Sequence, residues 1–256
     1  MSDIYVDIFL VDKYIHQSLH LPRILVFPST LFLSAVYPES LFLAIALISF
    51  YSARKGSWML AGLLGGLAAI ARPYGILLMI PYLYEYADQL HFHIRRIRWD
   101  VLWIGLIGVI FSIWPLYMYE KYHNPFIFVT SQASWDRIPA APWIVLANFF
   151  NSPLVVHGPD HSMIDLAFTL LSIVLVVYSW GIMRGSYVIY SALTLLVIIS
   201  SGLLVSMMRY DLDIFPLFLS LALMTRRGSL RDSILPLFAC LSGFFMVLFA
   251  LGRWVA

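Results

Sequence analysis

The chain has 256 residues, of which 61% are hydrophobic and 12% are charged. Soluble domains have about 25% charged residues, so this composition excludes an ordinary soluble protein and predicts a polytopic membrane protein. The formal net charge is only +2, so the positions of the charges matter more than their sum. Cys240 is the single cysteine, which excludes an internal disulfide framework and a cysteine-based metal site. No nucleic-acid motif or glycine-rich phosphate loop occurs, and we expect no cofactor.

Apolar segments predict an all-α bundle of about nine to ten transmembrane helices, several of them shorter than the roughly 20 residues that cross a bilayer. Residues 1–20 are predicted to be a cytoplasmic or interfacial remnant, and residues 21–256 one membrane-embedded domain. Within that domain, the polar segment 123–162 is predicted to be one large extracytoplasmic loop. Gly62 and Gly66 have the spacing that lets another backbone approach closely. The predicted spans are 21–36, 40–52, Trp58–Ala71, 76–86, 101–119, 163–183, 186–207, 213–224 and 233–251.

The basic residues predict the orientation, because cytoplasmic loops carry an excess of Lys and Arg. Arg72 interrupts the apolar segment 58–86 and is placed at the tip of a hairpin of two short helices. Eleven basic residues then fall on one side, which we assign to the cytoplasm, and five on the other. Reading 58–86 as one long span would place the basic cluster at 95–98 opposite Arg54 and Lys55, so the hairpin is favoured.

Polar interruptions of the apolar segments converge on the outer face, where a functional site is therefore expected. Arg72 precedes a proline that breaks the helix, and a guanidinium group suits bidentate binding of phosphate. The alternative for Arg72 is a side chain that snorkels to the interface. Arg209 and Tyr210 open a late apolar span, and the alternative there is a local ion pair with neighbouring acids. Two outer-face arginines near membrane level predict binding of a lipid phosphate.

Two acidic residues on the predicted outer side have both a functional and a structural interpretation. Glu39 lies between two apolar segments, and an ionisable group at membrane depth is a functional hypothesis. Glu39 also follows Pro38, which is typical of a helix start. Asp136 lies beside Arg137 and is read as part of a surface pair rather than as a base. Two histidines and an aspartate at 157–161 are a poor ligand set, so no metal site is predicted.

Four motifs, in the same order along the chain, resemble the PIG-V-type mannosyltransferases, which are GPI mannosyltransferase II-like members of the GT-C glycosyltransferases. The first is FPSTLFLSAVYPESLF at 27–42, and the second is WMLAGLLGGLAAIARPYG at 58–75. The W-x-R and P-W pairs at 135–143 resemble the large outer loop of the family. The R-Y and F-P pairs at 209–216 resemble its late motif. The resemblance extends over about 21–223.

The resemblance implies a GT-C-like bundle in the membrane with its active site on the extracytoplasmic face. The donor would be a polyprenyl- or dolichyl-phosphate sugar, typically mannose, and the acceptor is unknown. One carboxylate would act as general base on the acceptor hydroxyl, and cations would stabilise the departing lipid phosphate. The residues assigned to substrate and lipid-phosphate binding are Arg72, Arg209, Tyr210, Tyr37, Tyr74, Trp135 and Arg137.

The catalytic residue stays unassigned at this point. The family carries its expected catalytic Asp in a first outer loop, within an R-W-D-type motif that precedes the first of the four motifs. The 26 residues before Phe27 contain no such motif, so the chain is expected to be an N-terminally truncated member. Glu39 and Asp136 are the remaining candidates for the base. The alternative function is a non-catalytic accessory or lipid-binding membrane protein; a transporter is disfavoured because no internal repeat occurs.

Overall fold

The computed structural model describes residues 27–35, 37–151, 153–158, 161–225 and 228–255. The predicted remnant 1–20 and most of the predicted span 21–36 lie outside the described residues. Within the described ranges the chain is helical and has no named strand, apart from an isolated bridge between Val155 and Ser162. The all-α prediction is confirmed for this part of the chain, whereas the number of spans stays a prediction.

The third and fourth helices pack against each other as a hairpin. Trp58, near the start of the third, places its ring 5.0 Å from that of Tyr86 near the end of the fourth. Gln89 donates a hydrogen bond of 3.0 Å to the carbonyl of Ala53. These contacts show that the chain reverses between the third and fourth helices, as the sequence predicts. The first four helices are α1 (Leu31–Ser34), α2 (Glu39–Arg54), α3 (Trp58–Ala71) and α4 (Met79–Gln89).

The second part of the chain begins with four short helices and continues with longer apolar ones. The segment 123–162, predicted to be one large outer loop, contains two short helices and a 3-10 turn, and its extracytoplasmic position stays a prediction. The predicted span 186–207 ends early, since the helix ends at Ile199, and Gly202 in the segment that follows has a positive φ of 101°. The remaining helices are α5 (Leu106–Phe111), α6 (Ile113–Tyr122), α7 (Ile127–Thr130), α8 (Pro142–Phe149), α9 (Met163–Ser179), α10 (Gly185–Ile199), α11 (Met207–Tyr210), α12 (Phe215–Met224) and α13 (Gly228–Ala250).

Two helical stretches in the described part are long and apolar enough to cross a membrane. They are Trp99–Tyr122, which combines a 3-10 segment with α5 and α6, and Leu230–Ala250 within α13. Only 11% of the most apolar part of each stretch is buried inside the protein. Their exposed apolar side chains would be covered by lipid, which agrees with a membrane protein. The helices α3, α9, α10 and α12 are also apolar but have 10–17 residues.

The close packing of α3 against the stretch that begins at Trp99 depends on its glycines. A Cβ atom on Gly62 would lie 1.9 Å from the carbonyl oxygen of Trp103. A Cβ on Gly66 would lie 2.6 Å from Cδ1 of Ile110. The two backbones can approach only because these side chains are absent, so the prediction from the glycine spacing is confirmed.

We expect the substitution Gly62→Ala to lower the free energy of unfolding by about 1–3 kcal/mol, because a backbone carbonyl cannot move aside as a flexible side chain can. Thermal unfolding in detergent measures this loss. The matched control is Gly105→Ala, in the neighbouring helical stretch, where an added Cβ meets nothing within 4 Å. Equal melting temperatures for the two variants would contradict the role of Gly62.

Candidate functional site

A polar cluster lies where α2 begins, where α3 ends and where the segment between α10 and α12 passes. Glu39 is the first residue of α2, and Arg72 directly follows α3. Pro73 disfavours helical geometry at Arg72, whose backbone is extended with φ −144° and ψ 127°. Arg209 lies in α11, and Asp213 ends the 3-10 turn before α12. Breaks at these three places in the apolar sequence therefore bring the side chains together.

The cluster is a buried network of ion pairs and hydrogen bonds. Glu39 is fully buried, and its Oε1 atom contacts the guanidinium groups of both Arg72 and Arg209. Nη1 of Arg72 lies 3.2 Å from Oδ2 of Asp213 and donates to the Tyr74 hydroxyl at 2.8 Å. The Tyr74 hydroxyl in turn donates to the Asp213 carboxylate. Buried charges are stable only when paired, and each carboxylate here contacts at least one guanidinium group.

Two carboxylate oxygens of this network keep the capacity to accept a hydrogen bond. Oε2 of Glu39 and Oδ1 of Asp213 are buried, and neither has a hydrogen-bond partner among the described residues. Buried polar atoms in native proteins are nearly always satisfied by protein, water or ligand. These two oxygens are therefore suitable acceptors for a hydroxyl group that enters the cluster.

Arg209 presents its guanidinium group towards the surface of the cluster. Its side chain is 24% exposed, and its Nε atom donates to Glu39. Cζ lies 4.5 Å from the centre of the Tyr37 ring and 5.3 Å from that of Phe32, close enough for cation–π attraction. Within the described residues its two terminal nitrogens make no hydrogen bond. Glu39 and the two rings thus fix the side chain and leave its two terminal N–H₂ groups to bind an anion.

Arg137 reaches the same cluster through Tyr210. Its Nη1 atom donates to the Tyr210 hydroxyl at 2.9 Å, and its Cζ lies 5.7 Å from the ring centre. Cζ of Arg72 also lies 5.7 Å from the Tyr210 ring, so this ring lies between the two arginines. A third guanidinium group therefore joins the site from the segment between α6 and α9.

The charges within the cluster favour an anionic ligand. Arg72, Arg209 and Arg137 carry three positive charges against the two negative charges of Glu39 and Asp213, which leaves one net positive charge. The nearby acid Asp211 does not join the network, since the Ser172 hydroxyl donates to it at 2.7 Å. Burial raises the pKa of the Asp211 carboxyl to about 8, so it adds little negative charge at neutral pH.

Most of the binding residues predicted from the sequence meet in this cluster. The snorkelling alternative for Arg72 is wrong, because the residue is only 6% exposed and lies between two carboxylates. The local ion pair for Arg209 is also wrong, because its partner is Glu39, 170 positions away in the chain. Trp135 is 72% exposed and Asp136 lies on the surface, and neither makes a hydrogen bond or ion pair to the network within the described residues. The six that meet around Glu39 are Arg72, Arg209, Tyr210, Tyr37, Tyr74 and Arg137.

Asp213 is the functional candidate that sequence reasoning missed, because an acid before an apolar helix is read as a helix-start residue. The sequence did contain one indication, because Asp213 lies at the predicted extracytoplasmic end of its span and Arg72 is predicted to lie on the same side. The Tyr190 hydroxyl donates to its carbonyl at 2.7 Å, so both its backbone and its side chain are fixed.

Comparison with known proteins gives one curated relative. Over 127 residues the chain is 30% identical to GPI mannosyltransferase 2 of Yarrowia lipolytica. The match covers 48% of this chain and 34% of that protein, so the chain spans about a third of the length of the relative. No protein-family model matches the chain, and no solved structure matches it. The similarity agrees at a coarse level with a relationship to the mannosyltransferases.

Proposed function

We propose that this chain is a membrane glycosyltransferase that transfers mannose from a polyprenyl- or dolichyl-phosphate donor to an acceptor hydroxyl at the extracytoplasmic face. The observation that carries the proposal is the convergence of three arginines from distant segments around Glu39, with Arg209 and Arg137 accessible. The similarity to a mannosyltransferase supports the same reaction class.

The arginines would act on the leaving group of the donor. In the transfer, the acceptor oxygen forms a bond to C1 of the sugar while the bond from C1 to the phosphate oxygen breaks. The electron pair of that bond remains on the lipid phosphate, whose negative charge increases. Guanidinium groups already fixed in position stabilise such developing charge, and their planar geometry matches two phosphate oxygens. Arg209 and Arg137 would contact the phosphate, and the buried Arg72 would position them through Glu39 and Tyr210.

Glu39 has a positioning role in this proposal rather than a catalytic one. Its Oε1 atom is shared by Arg72 and Arg209, and the whole side chain is buried. Asp136 is exposed and separate from the network, so no role is assigned to it. The proton of the acceptor hydroxyl must pass to a general base. The proposal assigns that base to no residue in the described part of the chain; the family resemblance implies an R-W-D-type motif, which the 26 residues before Phe27 do not contain.

The donor class is tested by supplying labelled mannose to membranes that contain the full chain. We expect transfer from polyprenyl-phosphate mannose and none directly from GDP-mannose, because the proposed donor carries its sugar on a lipid phosphate. Absence of transfer from the lipid donor, together with retained binding of the polyprenyl phosphate, would favour the accessory or lipid-binding alternative. An Asp136→Asn variant that expresses normally but loses all transfer would identify Asp136 as the base.

A further inference from the structure

A second polar surface lies at the opposite end of the helices from the Glu39 cluster. The helix α2 has 16 residues and is therefore about 24 Å long, with Glu39 at its start. Arg54 and Lys55 lie at its other end. The hydrogen bond from Gln89 to Ala53 brings the end of α4 to this same level. The chain that follows α4 therefore emerges about the length of a helix away from the proposed active site.

This emerging segment carries three exposed arginines. Arg95, Arg96 and Arg98 are all exposed, and none forms an ion pair with an acid among the described residues. Arg98 is anchored by its backbone, since its N–H donates to the Tyr86 hydroxyl at 2.9 Å. That hydroxyl also donates to the Asp100 carboxylate at 2.6 Å. The fixed backbone places three positive charges side by side, and the Asp100 carboxylate, which also borders the apolar groove, offsets at most one of them.

An open apolar groove of about 570 Å³ begins directly after the arginines. It runs along the exposed surface of the helical stretch that starts at Trp99, one of the two stretches able to cross a membrane. Its walls include Trp99, which is 86% exposed, and Trp103, which is 45% exposed. Leu102 and Val109, also largely exposed, continue the groove along the helical stretch. Tryptophan favours the boundary between headgroups and acyl chains, so the groove starts at that depth.

We propose that the three arginines and the groove form a binding site for an anionic phospholipid. The headgroup phosphate and its surrounding negative charge would contact Arg95, Arg96 and Arg98, while an acyl chain would lie along Trp99 and Val109. Charge complementarity selects an anionic lipid over phosphatidylcholine, whose choline group brings a positive charge towards the arginines. Clusters of basic residues beside a transmembrane segment attract anionic lipids in this way. The proposal does not depend on the transferase function.

The test uses native mass spectrometry to measure which lipids remain bound to the purified full chain and to its variants. With equal amounts of phosphatidylglycerol and phosphatidylcholine, the wild type is expected to retain mainly phosphatidylglycerol. In the triple variant Arg95→Gln/Arg96→Gln/Arg98→Gln, the preference for phosphatidylglycerol is expected to be about a hundredfold smaller. Each arginine contributes one favourable contact, and all three contacts are lost. Trp99→Ala is expected to weaken retention of both lipids while the preference between them remains.

The control removes the same charge elsewhere, as Lys121→Gln/Arg231→Gln/Arg253→Gln, and is expected to keep the wild-type preference. An unchanged preference in the first triple variant, or an equal loss in the control, would overturn the proposal. If the first triple variant does not fold, the single variants at the three arginines replace it, each with an expected loss of about fivefold. Wild-type preference in all three single variants would equally overturn the site.

Discussion

Replacement of Glu39 by glutamine is expected to lower the free energy of unfolding by about 3–5 kcal/mol, because the buried Arg72 and the partly exposed Arg209 would lose the carboxylate that they share. Glutamine preserves the size of the side chain, so the change isolates the charge. Thermal and denaturant unfolding in detergent measure the loss. The double variant Glu39→Gln/Arg72→Gln is expected to recover part of it, since the second change removes an uncompensated buried charge.

Glu85 provides a matched control for this experiment. It is also a buried carboxylate, but it lies in α4, where Arg184 contacts it at 3.0 Å and the Ser186 hydroxyl donates to it at 2.6 Å. Glu85→Gln is expected to destabilise the fold to a similar extent. Activity per folded molecule should fall in Glu39→Gln and remain in Glu85→Gln. Equal activity per folded molecule in both variants would mean that Glu39 has only a structural role.

Replacement of Arg209 by alanine is expected to lower kcat/KM for the lipid-phosphate donor by about 10²–10³-fold, which is the usual cost of removing one preorganised group that stabilises developing charge. The fold should be affected less than by the change at Glu39. Arg209 is partly exposed, and Glu39 would still contact Arg72. Steady-state transfer of labelled mannose in membranes, normalised to folded protein, measures the effect.

Two further variants show whether the geometry of the guanidinium group matters. Arg209→Lys keeps the charge but cannot bind two phosphate oxygens in one plane, so an intermediate loss is expected. Arg231→Ala is the control, because Arg231 is exposed and pairs with its neighbour Asp232 at 3.0 Å; full activity is expected. Wild-type transfer in Arg209→Ala and also in Arg137→Ala would contradict the proposed phosphate contact.

The reversal at Arg72 and the close approach at Gly62 could be predicted because each depends on nearby residues. Pro73 restricts the residue before it whatever the rest of the chain does, and a missing side chain at Gly62 always permits a closer backbone. The early end of α10 was not predicted, since the apolar pattern continues beyond Ile199. Beyond that end, Gly202 has a positive φ and a Cβ atom there would lie 2.2 Å from the carbonyl oxygen of Ile138, a close approach of distant segments that the apolar pattern does not show.

The sequence by itself determined the helical class, and it predicted a membrane protein with arginines at one end of the apolar segments. Composition and helix-breaking residues act over a few positions, so they can be read directly. Only the tertiary structure decided that Glu39 is shared by Arg72 and Arg209, and that Asp213 joins them through Tyr74. Tyr74 and Asp213 are 139 positions apart and Glu39 and Arg209 are 170 apart. Such pairs are selected by the packing of whole helices, because a buried charge must find a partner wherever the fold places one.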